Sequence, residues 1–540
     1  MHGIFEKLLL TRGKEMKKVP RLGMWLFLLL ASGIMEPGVH ESTAGDRPSG
    51  NAETSQVGRA VSPVPLQLNL RDFVKLVRDK NEQIGIQASE LTISREAVKG
   101  ARAIFEPAFV GSYQYMSNAH RNTIQELVSE SLTPEFHERS GSYQAAVEGM
   151  VPTGANLRVG YTQRDFTNNL QDQFDLEKES QTAFGLSLTQ PLLKGAGIKP
   201  TMAGIRIAEK EADIALQTFR GQMMRVIGDA IRAYWDLSLA REKYRIRKES
   251  ELNAGAILKD NIIRVKAGKM AETEVLEANA ALAMRQALVS EARQAIIVAV
   301  NVVRTFFSSS AMDTKANIEP TESLQQEEAH HDFAESLARA FKFRTDYLAS
   351  KQKMEREDIR LVFAENQTWP KLDLKGSYNM NGLADAPRNS LEDAFRRDFE
   401  TWSVSVELRI PLEGDKKSRS ELEATRQRKR QALLEMKAVE VSLVNAVDTA
   451  IEGVSNALEQ VSHASSAVDM NKQLLEAERV KYMTGKSSSR TLLEREEDLN
   501  KAKEVAIESQ VKYKYSLVQL GLAEGSLLMR YDIELTVAGI

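Results

Sequence analysis

Side chains able to make or break bonds are few in this chain, and they are scattered. Its seven histidines are His2, His40, His120, His137, His330, His331 and His463, and it has no cysteine. Without thiols there is no disulfide, no thiolate metal site, no cysteine nucleophile and no lipid-anchored cysteine. His330 and His331 lie beside Glu327 and Glu328. They would hold a metal only loosely, because adjacent residues on a helix do not share a face. Gly195-Ala-Gly197 lacks the third glycine and the βαβ context of a dinucleotide loop, and reads as a junction between strand and helix. No nucleophile–base pair stands out. The expectation is therefore no catalytic site, no cofactor and no metal.

A repeat organises the chain. Residues 71–115 carry a helical pattern that ends at Phe105-Glu-Pro107 and runs into Gly111-Ser-Tyr113; residues 332–380 do the same through Trp369-Pro370 into Gly376-Ser-Tyr378. Gln190-Pro191-Leu192 opens one long helical stretch and Ile410-Pro411-Leu412 another. Arg264-Val-Lys-Ala-Gly268-Lys269 matches Lys481-Tyr-Met-Thr-Gly485-Lys486, which also superposes Leu276 on Leu493, Glu277 on Glu494 and Leu282 on Leu499. Such self-similarity marks a tandem duplication. The expected organisation is a first repeat over 66–307, a linker over 308–331, a second repeat over 332–530 and a tail over 531–540.

Before the repeats, Lys17, Lys18 and Arg21 precede an apolar run over 22–34. A basic segment and a short apolar core read as a secretory signal peptide, placed at 1–35. Residues 36–64, rich in Gly, Pro, Ser and Thr, read as disordered. No later window is expected to be long and apolar enough to cross a bilayer as a helix, which leaves β-strands as the means of insertion. Lys+Arg (72) nearly balance Asp+Glu (75), so no basic face for nucleic acid is expected.

Each repeat reads as helix, strands, long helix, turn and helix. The long helices are predicted over 195–263 and 414–482, about 69 residues and roughly 100 Å each at 1.5 Å per residue. Val447, Val454, Val461, Val468, Leu475 and Tyr482 step by seven, as in a coiled coil; a rod or scaffold gives the same signal. Shorter helices over 71–104 and 271–307, and over 332–368 and 488–525, have summed lengths that match the long helix beside each pair. Stacked end to end, they would complete a cylinder wall.

Between helices, segments 108–115, 142–149, 156–161, 182–189, 371–378 and 402–410 alternate apolar with polar residues, as transmembrane barrel strands do; a soluble antiparallel sheet shows the same alternation. Barrel strands are expected near 106–190 and 370–411. Trp369, Phe399 and Trp402 flank the second set, as interfacial aromatics do. Four to six strands cannot close a barrel, so several copies must contribute, and three copies of four strands would give twelve. The apparent extra hairpin over 142–163 either sits outside the barrel or adds two strands per copy.

Together, the signal peptide, the twofold helix–strand–helix repeat and these junction residues resemble the TolC-like outer-membrane efflux protein family over residues 66–530. The resemblance implies a mainly α chain with β-strands: a tandem repeat of long coiled-coil-like helices and transmembrane strands that forms a trimeric α/β barrel channel. Implied partners are a periplasmic adaptor protein and an inner-membrane pump. The implied place is the outer membrane, with a helical tunnel across the periplasm. The motif at Gly268 and Lys269 looks like the first tip turn, and that at Gly485 and Lys486 the second; both are where an adaptor would make contact. By the same resemblance Glu274, Glu277 and Glu494 are acids of the closed pore end. Tyr482 corresponds to a tyrosine linked to the acid at Glu274. Thr491 replaces a further acid, and Ser487 a basic residue. The rival readings are a periplasmic coiled-coil adaptor or scaffold without a pore, and a soluble helical enzyme.

Overall fold

A computed structural model describes residues 66–129, 134–171, 177–307, 318–322, 324 and 332–533. The expected signal peptide, the segment 36–64, most of the linker including His330 and His331, and the last seven residues lie outside the described residues.

The chain opens with β1 (Leu66–Leu68), α1 (Leu70–Lys80) and α2 (Glu82–Arg102). Four strands follow: β2 (Ala108–Arg121), then a short α3 (Ile124–Ser129), β3 (Glu135–Met150), β4 (Asn156–Asn168) and β5 (Glu179–Pro191). A single turn, α4 (Ile198–Thr201), leads into the 64-residue α5 (Ala203–Lys266), which folds back as α6 (Glu272–Arg304). After β6 (Ile318–Pro320) the second repeat runs α7 (Phe333–Phe343), α8 (Thr345–Gln367), β7 (Lys371–Ala384), α9 (Pro387–Arg396) and β8 (Glu400–Arg409). It closes with the 68-residue α10 (Lys416–Met483), α11 (Ser489–Glu524) and α12 (Leu527–Arg530).

The duplication extends to a detail not read from the pattern. The opening helix of each repeat is broken after 11 residues, at Asn81 in the first and Arg344 in the second. Both residues adopt extended backbone, and Asn81 caps the next helix by accepting from the Gln83 and Ile84 N–H groups. Beyond the breaks, α2 and α6 both lie along α5, while α8 and α11 both lie along α10 and also touch α5. Each long helix is thus flanked by two shorter ones that share its length. The seven-residue step defines the buried seam: Val447, Val454, Val461 and Tyr482 are buried, and Val468 and Leu475 half-buried.

The main core forms where both breaks approach the middle of α5. Phe73, Val74 and Val77 pack there with Ile227, Ile231, Tyr234 and Leu237, joined by Val518 and Leu527 from the second repeat. Within the span read as a linker, Ile318–Pro320 pairs in parallel with Leu66–Leu68. Tyr234 donates to the Leu68 carbonyl at 3.0 Å and Arg241 to the Ile318 carbonyl, so α5 carries this two-stranded strap.

One helix corrects the expectation that no window suits a membrane helix. Glu272–Arg304 meets the length and composition test, with mean hydropathy 1.2. Its alanines and valines raise the average, but it packs along α5 and buries Arg285 against groups of two other helices, α5 and α11. It is a wall element.

The six long strands form one antiparallel sheet in the order β2-β3-β4-β5-β7-β8. The hairpin over 142–163 is therefore not peripheral: β3 and β4 sit between β2 and β5. The register keeps one face apolar across the helix-proximal part of the sheet, while toward the far end Gln163, Asp165, Ser180 and Thr182 on that face bond to one another. Phe109 faces Val147, Val147 faces Val159, Val159 faces Leu186, Leu186 faces Tyr378, and Tyr378 faces Trp402. The opposite face carries Ser112, Gln144, Thr162, Ser187, Ser377 and Ser403, at alternate positions along the same strands. An apolar outer face and a polar inner one are what a transmembrane barrel requires. At the end away from the helices, α9 lies on the apolar-side positions of β5 and β7. There Gly382 permits close approach: a Cβ would come within 1.9 Å of the Ser390 carbonyl oxygen.

Candidate functional site

Each long helix ends in the same way, and sequence dictates it. Gly268 and Gly485 have φ of 68° and 69°, the left-handed conformation that costs glycine little. Lys269 N–H donates to the Arg264 carbonyl at 2.9 Å and Gly268 N–H to that of Val265 at 2.9 Å. In the second repeat Lys486 N–H bonds the Lys481 carbonyl at 2.9 Å and Gly485 N–H that of Tyr482 at 3.1 Å. Both are Schellman caps, which satisfy carbonyls the helix leaves unpaired. Open space surrounds both glycines, so backbone conformation alone selects them. Lys269 and Lys486 are exposed at the two turns.

The two helical hairpins are tied together just behind these turns. Tyr482 on α10 is 5% exposed, and its hydroxyl donates across to α5, to Asn261 Oδ1 at 2.7 Å and Asp260 Oδ2 at 3.1 Å. Asn261 Nδ2 in turn donates to the Glu274 carbonyl at 3.1 Å. The Arg264 guanidinium lies 4.6 Å from the Tyr482 ring centroid and bonds Asp260 at 2.8 Å. Burial, and then the bond to Asp260, push the tyrosine hydroxyl up to about 12, so it stays a neutral donor.

A second tie uses Glu274. Its carboxylate accepts from Ser489 N–H at 3.2 Å and from the Ser489 hydroxyl, at the first residue of α11. A carboxylate there also meets the positive end of the helix dipole. The expected direct link between Tyr482 and Glu274 is thus replaced. Asn261 stands between them, and the Glu274 carboxylate is already engaged by Ser489. Ser487 does not cross between hairpins; it donates to Glu478 within its own turn.

A third tie lies deeper. Arg285 on α6 donates to Ser250 Oγ at 3.0 Å and to the Leu493 carbonyl at 3.2 Å, and stands 3.9 Å from Glu496. Both charged residues are buried, and burial raises the Glu496 carboxyl above its usual value, with Arg285 opposing.

Glu277 and Glu494 are exposed. Arg490, which sequence reasoning passed over, bonds Glu494 at 3.1 Å, and its guanidinium is held more basic by that bond, by the Glu494 charge and then by Glu277. Its spacing of four from Glu494 on a helix was the available signal. At the sheet, Trp369 precedes β7 at the helix-proximal end, Phe399 precedes β8 at the far end, and Trp402 stands on the apolar face; all three are exposed. The tip and the aromatics therefore lie at opposite ends of the long helices.

Comparison with known proteins agrees with this architecture. The chain is similar in fold to the Campylobacter jejuni CmeC outer membrane channel, with a TM-score of 0.61, 15% identity and coverage of 90% of this chain and 94% of that one. It is also similar to the outer membrane protein VceC of Vibrio cholerae, with a TM-score of 0.59, 14% identity and coverage of 84% and 96%. The open state of the Neisseria gonorrhoeae MtrE outer membrane channel gives a TM-score of 0.56, 14% identity and coverage of 85% and 89%. No curated protein sequence matches. The family model for outer membrane efflux proteins matches residues 74–306 and 343–526, both repeats, and on that match the chain belongs to the outer membrane efflux protein family.

Proposed function

We propose that this outer-membrane efflux channel subunit is a passive exit duct that works as a homotrimer, with a periplasmic adaptor and an inner-membrane pump, in a tripartite efflux or type I secretion system. The observation that carries the proposal is the pairing of an apolar-faced sheet at one end with a helical tip held by side-chain ties at the other. A pore that must stay shut between transport events needs both: a wall in lipid, and a closure that a partner can release. Two hairpins joined by Tyr482–Asn261 and Glu274–Ser489 provide a closure of that kind, since each bond joins first repeat to second.

Glu277 and Glu494, repeated in three copies around the tip, would form a ring of negative charge that favours cations. Arg490 offsets part of it. Lys269 and Lys486, exposed on the two turns, are the proposed adaptor contacts. Among the described residues, no convergent nucleophile, base or metal ligand set supports an enzyme reading. Reconstituting the full chain in planar bilayers tests the proposal. Stepwise conductance supports a duct, and its absence in protein that has inserted as an oligomer would leave only the adaptor or scaffold reading.

A further inference from the structure

The edges of the sheet carry an inference about what completes it. β2 is exposed at every residue, and β8 at all but Glu407. Both are edge strands. A sheet edge facing hydrocarbon would leave a row of unpaired backbone N–H and C=O groups, which a membrane does not tolerate. β2 leads away from the helices and β8 returns toward them, so β8 of one copy can pair antiparallel with β2 of the next. The occupant of each edge is then a second copy of this chain. The six-strand count supports this: an even number keeps strand direction alternating around a ring.

We propose that all six strands, including the β3–β4 hairpin, form the membrane wall, so that the homotrimer inferred above closes an eighteen-stranded barrel. Two observations carry the hairpin into the wall. It lies between β2 and β5 and bonds along its length to both. Its Val147, Val159 and Tyr161 also continue the apolar face of the neighbouring strands, whereas Gln144 and Thr162 continue the polar one.

Widths agree as well. Strands about 4.8 Å apart, tilted by about 40°, each occupy about 6.3 Å of circumference, so six span about 38 Å and four only about 25 Å. The helical wall of each copy is four helices wide, counting each stacked pair once, or about 32–40 Å at 8–10 Å per helix. Six strands therefore span about the same width as the helices of one copy, whatever the number of copies.

Eighteen strands give a backbone radius near 18 Å, against about 12 Å for twelve. The lumen-side face carries Ser112, Gln144, Thr162, Ser187, Ser377 and Ser403 together with paired charges, among them Glu138–Arg164 and Lys375–Glu407. At that radius the outer mouth is not narrow, and size selection falls to the helical tip.

Full-length protein in outer-membrane vesicles tests this, and the absence of native cysteine makes single substitutions clean reporters. Val147→Cys and Val159→Cys should react with a membrane-impermeant maleimide at least ~10-fold more slowly than Gln144→Cys and Thr162→Cys, as lipid-facing and lumen-facing positions of one barrel must. Ser112→Cys combined with Ser403→Cys or Ser405→Cys should give, on oxidation, a covalent ladder ending at three chains.

Equal fast labelling at all four hairpin positions overturns the proposal. So does a disulfide within one chain between Ser112→Cys and Ser187→Cys, because β2 would then lie against β5 with the hairpin expelled. Bilayer conductance measured on the same variants separates the two readings. Conducting trimers with a water-exposed hairpin sink the eighteen strands but keep the duct, whereas non-conducting oligomers sink the duct itself.

Discussion

Replacing Tyr482 with phenylalanine should loosen the tip without unfolding the helices. The ring and its contact with Arg264 are kept, while the bond across to Asn261 is lost. Asn261 has no exposed surface, so its Oδ1 would be left buried without that donor. An orphaned buried acceptor costs about 1–3 kcal/mol, and 1.4 kcal/mol is a factor of ten. The ratio of tied to untied tip should then fall by roughly 5- to 150-fold per chain, on those same magnitudes. Hydrogen exchange followed by mass spectrometry reads this directly, because local opening sets exchange where global stability does not. Peptides around 258–275 and 480–495 should exchange faster, with those around 223–237 unchanged. The hydroxyl titrates near 12 rather than 10. The tie is therefore complete below pH 10 and is lost as pH rises from 10 toward 12, with no change between pH 7 and 9. Unaltered exchange at the tip of the Tyr482→Phe protein, or loosening that begins near pH 8, would refute the reasoning.

Three further outcomes follow from the tip. Gly268→Ala and Gly485→Ala should each cost about 1–2 kcal/mol, the penalty of a left-handed residue with a Cβ, and Gly→Asn less, as thermal unfolding would show; equal effects of Ala and Asn would point to sterics instead of backbone. Burial raises the Glu496 carboxyl, so the stability this group allows is fully present below its unfolded value of 4.5 and is lost as pH rises through the folded value. Glu496→Gln should flatten the fall in melting temperature as pH rises above 4.5, and an unchanged slope would reject that assignment. Glu494→Gln should weaken cation preference in bilayers by several-fold, while Arg490→Gln should strengthen it, since three copies of either change act on one narrow opening; selectivity indifferent to both would remove the acid ring.

Much of this fold could be read from sequence because the forces that shape it are local and periodic. The seven-step seam from Val447 to Tyr482 needs only one helix to be recognised. Gly268 and Gly485 announce turns because no other residue takes their φ so cheaply. The breaks at Asn81 and Arg344 escaped notice because one extended residue hardly disturbs the apolar spacing on either side, although Asn81 is a good capping residue. Strand order escaped for a different reason. The placement of β3 and β4 between β2 and β5 is a matter of pairing between segments, which alternation within each segment does not encode. At the tip, the choice of Asn261 over Glu274 as the partner of Tyr482 depends on how two hairpins lie against each other. That is a tertiary fact, and the repeat alignment carries no trace of it.

The unequal halves of the sheet also bear on how such a wall can change size. The first repeat supplies four strands and the second two, yet both supply the same complement of helices. A segment added to an up-and-down sheet must leave and return on the same side, so growth comes in whole hairpins, never in single strands. Girth is therefore quantised. In a ring of identical copies, each hairpin gained or lost moves the perimeter by a fixed step multiplied by the number of copies, and no intermediate diameter can be reached by mutation alone.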